Sequence, residues 1–499
     1  MRRITGIKAG ALAAAVTAAV ALAVPAPATG TAGTVRTVSA GSAAHAGAAT
    51  AVCPGVPAPS AASAAPDAPL DAMFGNYADH GAGYDHWTGA DSTYSAPLPR
   101  DQELWIFSDT FLGYVNPDGS RSPVISDKGT TPFINNSFVA EPGRVPDPSG
   151  AGLTTIGGGT AADPAALMPP PDATHWYWAG DAVVAGGTLQ AVYQEYDRFG
   201  SAPFDFAWER NVLARYHLGD LSHPFGVQPL PSSAGIAWGS WIARDGGYTY
   251  VYGVEDLGAD TYMHIARVAG DDLLRPWQYY TAAGTWSPDE SASARIAGPA
   301  ASGGFLHVAS EYSVSRVGRL YVLVTQNTLQ PFSAEIDVLY SCSPVGPFTD
   351  RTAIYDTPET GLHGSYGDAN VYTYNAHAHP QISAPGRLVI SYNVNSLVNT
   401  DLYKNASIYR PRFIELTLGP VTGRQALRHA LAEPARRQAE TMLEWKPLAP
   451  ACPETRSRRN RSRADGLVGE HGYSRQKGEL SWPRVTGSPR TSRSRTRRS

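Results

Sequence analysis

Cysteine is nearly missing: 499 residues hold only Cys53, Cys342 and Cys452. So few exclude a disulfide-dense scaffold, and no spacing among them resembles a zinc site. An odd count allows one bridge and one free thiol, with the pairing open. Charged residues are also scarce, at 17% of the chain. That scarcity excludes a coiled coil or a charge-driven disordered protein. After the first residues, no apolar run approaches the roughly 20 residues that span a membrane.

What is abundant is turn-forming and aromatic. Gly (50) and Pro (40) accompany 25 Tyr and 11 Trp, a balance that suits short strands joined by many turns. Charge is unevenly spread. Residues 421–499 hold 18 basic and 7 acidic side chains and residues 1–70 hold 4 and 1, which leaves residues 71–420 near −18. An acidic core argues against nucleic acid as partner.

The ends read differently from the middle. Arg2, Arg3 and Lys8 precede an apolar run from Ala11 to Val24, closed by Ala26-Pro27-Ala28. This is the pattern of a Sec-type signal peptide over 1–28, so the protein is expected to be secreted. Residues 29–70 are rich in Ala, Pro, Gly and Ser and read as a linker. The core is expected over 71–420, starting near Met73. Gln425 to Trp445 has a helical pattern. The rest of 421–499 is a basic tail expected to be largely disordered, with anionic cell-wall polymers as a conceivable contact.

Within the core the pattern is strand and turn. Leu104 to Phe107, Leu320 to Val324 and Leu388 to Tyr392 are buried-type runs. Gly186-Gly187 and Gly246-Gly247 are hairpin signals. Strand pairs recur roughly every 60–75 residues, led by Trp105, Trp176, Tyr250, Tyr321 and Val389. Five such units predict an all-β, five-bladed β-propeller, with a β-sandwich as the competing architecture.

The sharpest chemical feature runs from Asp91 to Gly113. A hairpin centred near Arg100 pairs positions whose numbers sum to about 200, which sets Asp91 opposite Asp109. Facing like charges are destabilising, and burial beside a like charge raises a carboxyl pKa. A protonated acid beside an anionic carboxylate is what glycoside hydrolysis needs. The competing reading makes Asp91 a turn residue and Asp109 a strand-end cap. Other candidates flank strand signals: Asn136, Glu255, Glu311, Tyr312, His377, His379 and Asn393 as substrate-binding groups, with Trp178 and Trp238 as sugar platforms. His377 and His379 share strand parity, and a hydrogen-bonding role fits them better than a metal. No metal or other cofactor is expected.

Trp87 to Asp91, continuing to Phe111-Leu112-Gly113, resembles the actinobacterial domains of unknown function related to endo-D-arabinanases. Supporting stretches are Ile265 to Val268 with Leu273 to Trp277, Ser343 to Phe348, and Tyr409 to Phe413. The resemblance covers residues 74–416. It implies a five-bladed propeller and glycosidic cleavage by two aspartates, which map onto Asp91 and Asp109. Ser108 stands where a Gly is expected. The expectation is a monomeric, exported glycoside hydrolase acting on arabinan or another cell-wall or environmental polysaccharide. A non-catalytic sugar-binding propeller and a cell-surface scaffold are the alternatives.

Overall fold

Strands and tight turns make up most of the structure, as the composition requires. It is a computed structural model that describes residues 62–419 apart from 82, 201–204, 259 and 299–303. The chain divides into two units, Met1–Glu433 and Pro434–Ser499, and the second lies wholly outside the described residues. The expected signal peptide, tail and 425–445 helix also fall outside them.

The described chain opens with β1 (Ala62–Pro66), helix α1 (Ala68–His80) and β2 (Trp87–Ala90). Then come β3 (Tyr94–Leu98), β4 (Gln102–Phe107), β5 (Thr110–Leu112), β6 (Phe133–Ile134), β7 (Ser137–Glu141) and β8 (Thr154–Ile156). β3, β4, β7 and β8 form the first sheet in that order, and β2, β5 and β6 form a small companion. β9 (Gly158–Thr160) and β10 (Asp163–Ala165) make a two-stranded ribbon. The second sheet is β11 (His175–Ala185), β12 (Thr188–Arg198), β13 (Phe206–His217) and β14 (Gly226–Pro229). The third is β15 (Ala237–Asp245), β16 (Tyr248–Asp256), β17 (Thr261–Ala269), β18 (Trp277–Tyr280) and β19 (Trp286–Ser287). The fourth is β20 (Tyr312–Val317), β21 (Leu320–Gln326), β22 (Glu335–Ser341) and β23 (Thr349–Asp356). The fifth holds β24 (Val371–Ala378) and β25 (Arg387–Ser396), then, after the short helix α2 (Asn399–Lys404), β26 (Pro411–Leu418) and finally β1.

The protein is therefore all-β with few helices. The five residues that lead the sequence units fall one to a sheet: Trp105 in β4, Trp176 in β11, Tyr250 in β16, Tyr321 in β21 and Val389 in β25. First strands of successive sheets touch: β3 with β11, β11 with β15, β15 with β20, and β20 with β24. β24 meets β3 again, where the His377 ring stacks on Tyr94 at 4.4 Å. Both Gly-Gly turns form as expected. Gly186 and Gly187, and likewise Gly246 and Gly247, have positive φ, the type I′ requirement that glycine meets without strain.

One expectation is corrected. The linker read over 29–70 ends sooner, because Ala62–Pro66 pairs antiparallel with β26 from Ala62–Leu418 to Pro66–Ile414. Short apolar Ala and Pro suit an edge strand as well as a linker, so composition could not separate the two. A helix then stands where the core was expected to begin. The Asp67 side chain caps it by accepting from the Leu70 N–H, and a proline occupies its first turn. The helix buries Leu70, Met73, Phe74 and Ala78. Phe74 stacks on Phe413 at 5.5 Å and meets Trp105 edge-on at 5.2 Å, which ties the first and fifth sheets together. Burying one such ring stabilises by about 1.5–3 kcal/mol.

Candidate active site

The hairpin register is the one read from sequence. Tyr94 faces Ile106 and Leu98 faces Gln102 in one ladder, and Ala90 faces Thr110 in the other. Asp91 and Asp109 lie at the joint between these ladders. The Asp91 N–H donates to the Asp109 carbonyl at 3.2 Å, and the Ser108 N–H donates to the Asp91 carbonyl at 3.1 Å.

The chain leaves Asp91 by an unusual route. Ser92 and Thr93 both adopt left-handed backbone, with φ of 68° and 66°. For a β-branched residue this is an outlier, and each such residue costs about 1–3 kcal/mol. Contacts from other sheets hold the strained pair. Asn393 Nδ2 donates to Thr93 Oγ1 at 2.9 Å, and His377 Nε2 donates to the Thr93 carbonyl at 3.1 Å. Ser92 Oγ bonds Glu311 Oε1 at 2.7 Å and Ser108 Oγ at 2.8 Å. Ser108, the residue found in place of glycine, also accepts from the Ala179 N–H at 3.0 Å. Its hydroxyl therefore links the hairpin to the second sheet.

Three carboxylates gather here. Asp91 Oδ2 accepts from the Tyr374 and Tyr409 hydroxyls at 2.7 and 2.8 Å, while Asp91 Oδ1 has no protein partner. Burial raises its pKa, and the two phenol bonds pull it back. Asp109 Oδ1 accepts from Trp178 Nε1 at 2.8 Å and Asn135 Nδ2 at 2.9 Å. Burial and then the charge of Asp91 raise its pKa. Glu311 Oε1 also accepts from Asn375 Nδ2 at 3.0 Å. Burial drives its pKa well above the ordinary carboxylate range, with the charge of Asp91 adding to the effect. All three residues are partly exposed, although Asp91 Oδ1 and Glu311 Oε2 are themselves buried.

His377 bears on Glu311. Burial lowers its pKa to about 4, so the ring is neutral near pH 7. A carbonyl can only accept, so the proton sits on Nε2 facing Thr93. Nδ1 is then an acceptor, 3.7 Å from Glu311 Oε2. That arrangement is not an ion pair, and it suits a protonated Glu311. The cluster can thus hold an acid and a base side by side near neutral pH.

Aromatic rings flank Asp109. Trp178 is half-exposed, with Tyr196 at 4.5 Å and Phe206 at 5.1 Å from its ring. Such a surface suits the apolar face of a sugar ring.

The other predicted residues divide into helpers and core. Glu311 belongs to the cluster, while His377 and Asn393 clamp the strained Ser92–Thr93 segment and do not present themselves to a ligand. His379 is buried, bonded to Ser95 Oγ at 2.6 Å and Ser391 Oγ at 2.9 Å. Asn136 is a correction: its side chain is fully buried and is spent on the backbone of Met168 and Tyr177. Its neighbour Asn135 makes the contact to Asp109. Trp238 is also corrected. It is 0% exposed, donates to Glu290 Oε1 at 2.9 Å, and has no free face for a sugar. Tyr312 is core, with its hydroxyl on the Gly253 carbonyl at 3.1 Å. Glu255 is held by Arg295 through two bonds, at 2.6 and 3.0 Å. The sequence reading missed Tyr374, Tyr409, Asn135, Ser92 and Asn375. Tyr374 and Asn375 lie three and two residues before His377, and Tyr409 opens a stretch that carried the family resemblance.

The family described as Domain of unknown function (DUF5005) matches residues 75–419. No curated protein matches the chain at a significant level. A solved Bacteroides ovatus protein, provisionally assigned as a hydrolase, is 22% identical and superposes with a TM-score of 0.58. That match covers 71% of this chain and 90% of the other, and it shows a shared fold. A GH43_1 enzyme from Xanthomonas citri is 16% identical, with a TM-score of 0.37 over 70% and 92% of the two chains. An α-L-arabinofuranosidase from Podospora anserina in complex with cellotriose is 9% identical, with a TM-score of 0.39 over 66% and 91%. Both superpose too loosely to carry chemistry across.

Proposed function

The chain belongs to the DUF5005 family, and because that description brings no chemistry with it, we propose a function from the site itself. The protein is a glycoside hydrolase. One observation carries this: two partly accessible aspartates adjoin a glutamate that burial keeps protonated, with a half-exposed tryptophan bonded to one of them. Glu311 supplies the proton to the leaving glycosidic oxygen. Asp91, whose phenol bonds favour the anion, acts either as the base that takes a proton from the attacking water or as the nucleophile at the sugar carbon, whose glycosyl ester water then hydrolyses. Asp109 sets the local charge and orients Trp178. Five sheets with successive first strands in contact support a five-bladed propeller, with the carboxylates where those strands converge.

The substrate is a cell-wall or environmental polysaccharide, with furanosidic arabinan first among them on the resemblance around Asp91 and Asp109. Export fits a disulfide at Cys342, because such bonds persist in oxidising compartments. The test is to incubate the wild type, Asp91→Asn and Asp109→Asn with arabinan, xylan and related glycans. Products from the wild type alone are expected. Sugar binding without products across the panel overturns the enzyme reading in favour of a binding propeller.

A further inference from the structure

A second line of rings starts at Asp91 on the fifth sheet, whereas Trp178 belongs to the second. The Tyr374 hydroxyl bonds Asp91. The Tyr374 ring lies 5.4 Å from Tyr372, and the Tyr372 ring lies 4.4 Å from Phe332. Tyr372 is half-buried and senses the charge of Asp91, whereas Phe332 is 46% exposed. The line therefore runs from the reacting group out to solvent, across the loop between β21 and β22 and the start of β24.

Phe332 is held in place at a cost. Its φ of 53° is left-handed, which a bulky residue rarely adopts and which costs about 1–3 kcal/mol. A lone exposed aromatic needs no explanation. A strained one packed at a tilt against a ring that leads to a catalytic carboxylate is a different case.

Asp109 in turn holds Trp178, which packs with Tyr196 and Phe206. We propose that Phe332 and Tyr372 form a remote carbohydrate-binding subsite, so that the ligand is an internal stretch of a glycan chain lying across both aspartates. This rests on the reading of the site as a glycoside hydrolase and deepens it. The occupant is a neutral oligosaccharide, since flat rings present stacking faces and the strip brings no cation. Chains held on both sides of the cleaved bond are cut internally, so products should begin as mixed-length fragments.

The experiment measures binding of linear arabino- and xylo-oligosaccharides, from disaccharide to octasaccharide, by calorimetry on the full chain. Asp109→Asn serves as the background so that ligands survive. In that background affinity should rise with length and then level off. Adding Phe332→Gly removes the ring and relieves the left-handed strain, so the fold should hold. This variant should weaken binding of the longest oligomers by about threefold to tenfold, the worth of one aromatic contact. Phe332→Tyr should restore it. Equal affinity at every length, or a Phe332→Gly profile that matches its parent, overturns the subsite and leaves the hydrolase reading intact. Length-dependent binding with no products from the wild type sustains the subsite and removes the hydrolase. Absence of binding to either ladder overturns both.

Discussion

Two pairs of facing carboxylates sit at opposite ends of β4, and only one of them is open. Asp91 and Asp109 are partly accessible, held by phenols, an indole and an amide. Glu103 and Glu141 face each other directly across β4 and β7, at 0% and 4% exposure. Gln381 Nε2 donates to Glu103 at 2.8 Å, Trp105 Nε1 donates to Glu141 at 2.8 Å, and Arg144 approaches Glu103 to 4.0 Å. Burial pushes Glu103 up to about 7, so the closed pair escapes repulsion by holding a proton. Facing acids are therefore not a signature of chemistry in themselves. What distinguishes the open pair is partial exposure and a strained backbone beside it; an unpartnered oxygen does not, since Glu103 Oε2 and Glu141 Oε1 also lack hydrogen-bond partners.

The largest expected effect tests that distinction directly. Asp91→Asn removes the proposed base and should lower glycan hydrolysis by roughly 10²–10⁴-fold, with an unchanged circular dichroism spectrum. Glu103→Gln should leave the rate where it was, and a comparable loss there would erase the contrast. Glu311→Gln should cost as much on a natural glycan, but far less on an aryl glycoside whose leaving group needs no proton. Steady-state kinetics on both substrates separates the two. The pH profile follows from the same shifts. Activity should rise as pH climbs through the raised pKa of Asp91 and fall only once Glu311 ionises. Both limbs then lie above the ordinary carboxylate range, and an acidic limb near pH 4 would contradict the assignment.

The closed pair has a stability signature instead. The pKa of Glu103 is about 7 when folded against an ordinary 4.5, so the folded state binds its proton more tightly. That contribution is complete below about pH 4.5 and is lost as pH rises through about 7, by at most about 3 kcal/mol. Melting temperatures across that window should fall in the wild type and stay flatter in Glu103→Gln. Parallel curves would show that Glu103 does not govern the change. Smallest of all, Asn393→Ala removes the bond to Thr93 and should destabilise by about 1–3 kcal/mol. Since that bond restrains the segment after Asp91, kcat should drop with it; a stability loss at constant kcat would make Asn393 structural only.

Much of this was legible in the sequence, and the failures share a cause. The register of the Asp91–Asp109 hairpin could be read because Pro97 to Gln102 marks a turn and strand pairing then counts outward from it. Trp178 and Trp238 could not be separated, since both are tryptophans in first strands and only the packing of Trp277 and Tyr279 covers the second. Asn135 and Asn136 are neighbours in the short connection between β6 and β7, where no strand alternation tells which side chain turns to Asp109. The roles of His377 and Asn393 depended on the left-handed Ser92–Thr93 segment. Neither residue type advertises that conformation, so their clamping function had no local signal.

The pairing of β1 with β26 sets the order in which the protein can be completed. β1 precedes every other described strand in the chain, yet among the described residues its one strand partner is β26, the last of them. Until β26 emerges, β1 has nothing to pair with, and until β1 docks, β26 shows a bare edge open to association with other chains. Contacts between such distant segments form slowly, so closing the fifth sheet should be a late event in folding. A protease that cut between Pro66 and α1 would reverse that event alone, reopening the edge while the hairpin carrying Asp91 and Asp109 stayed paired.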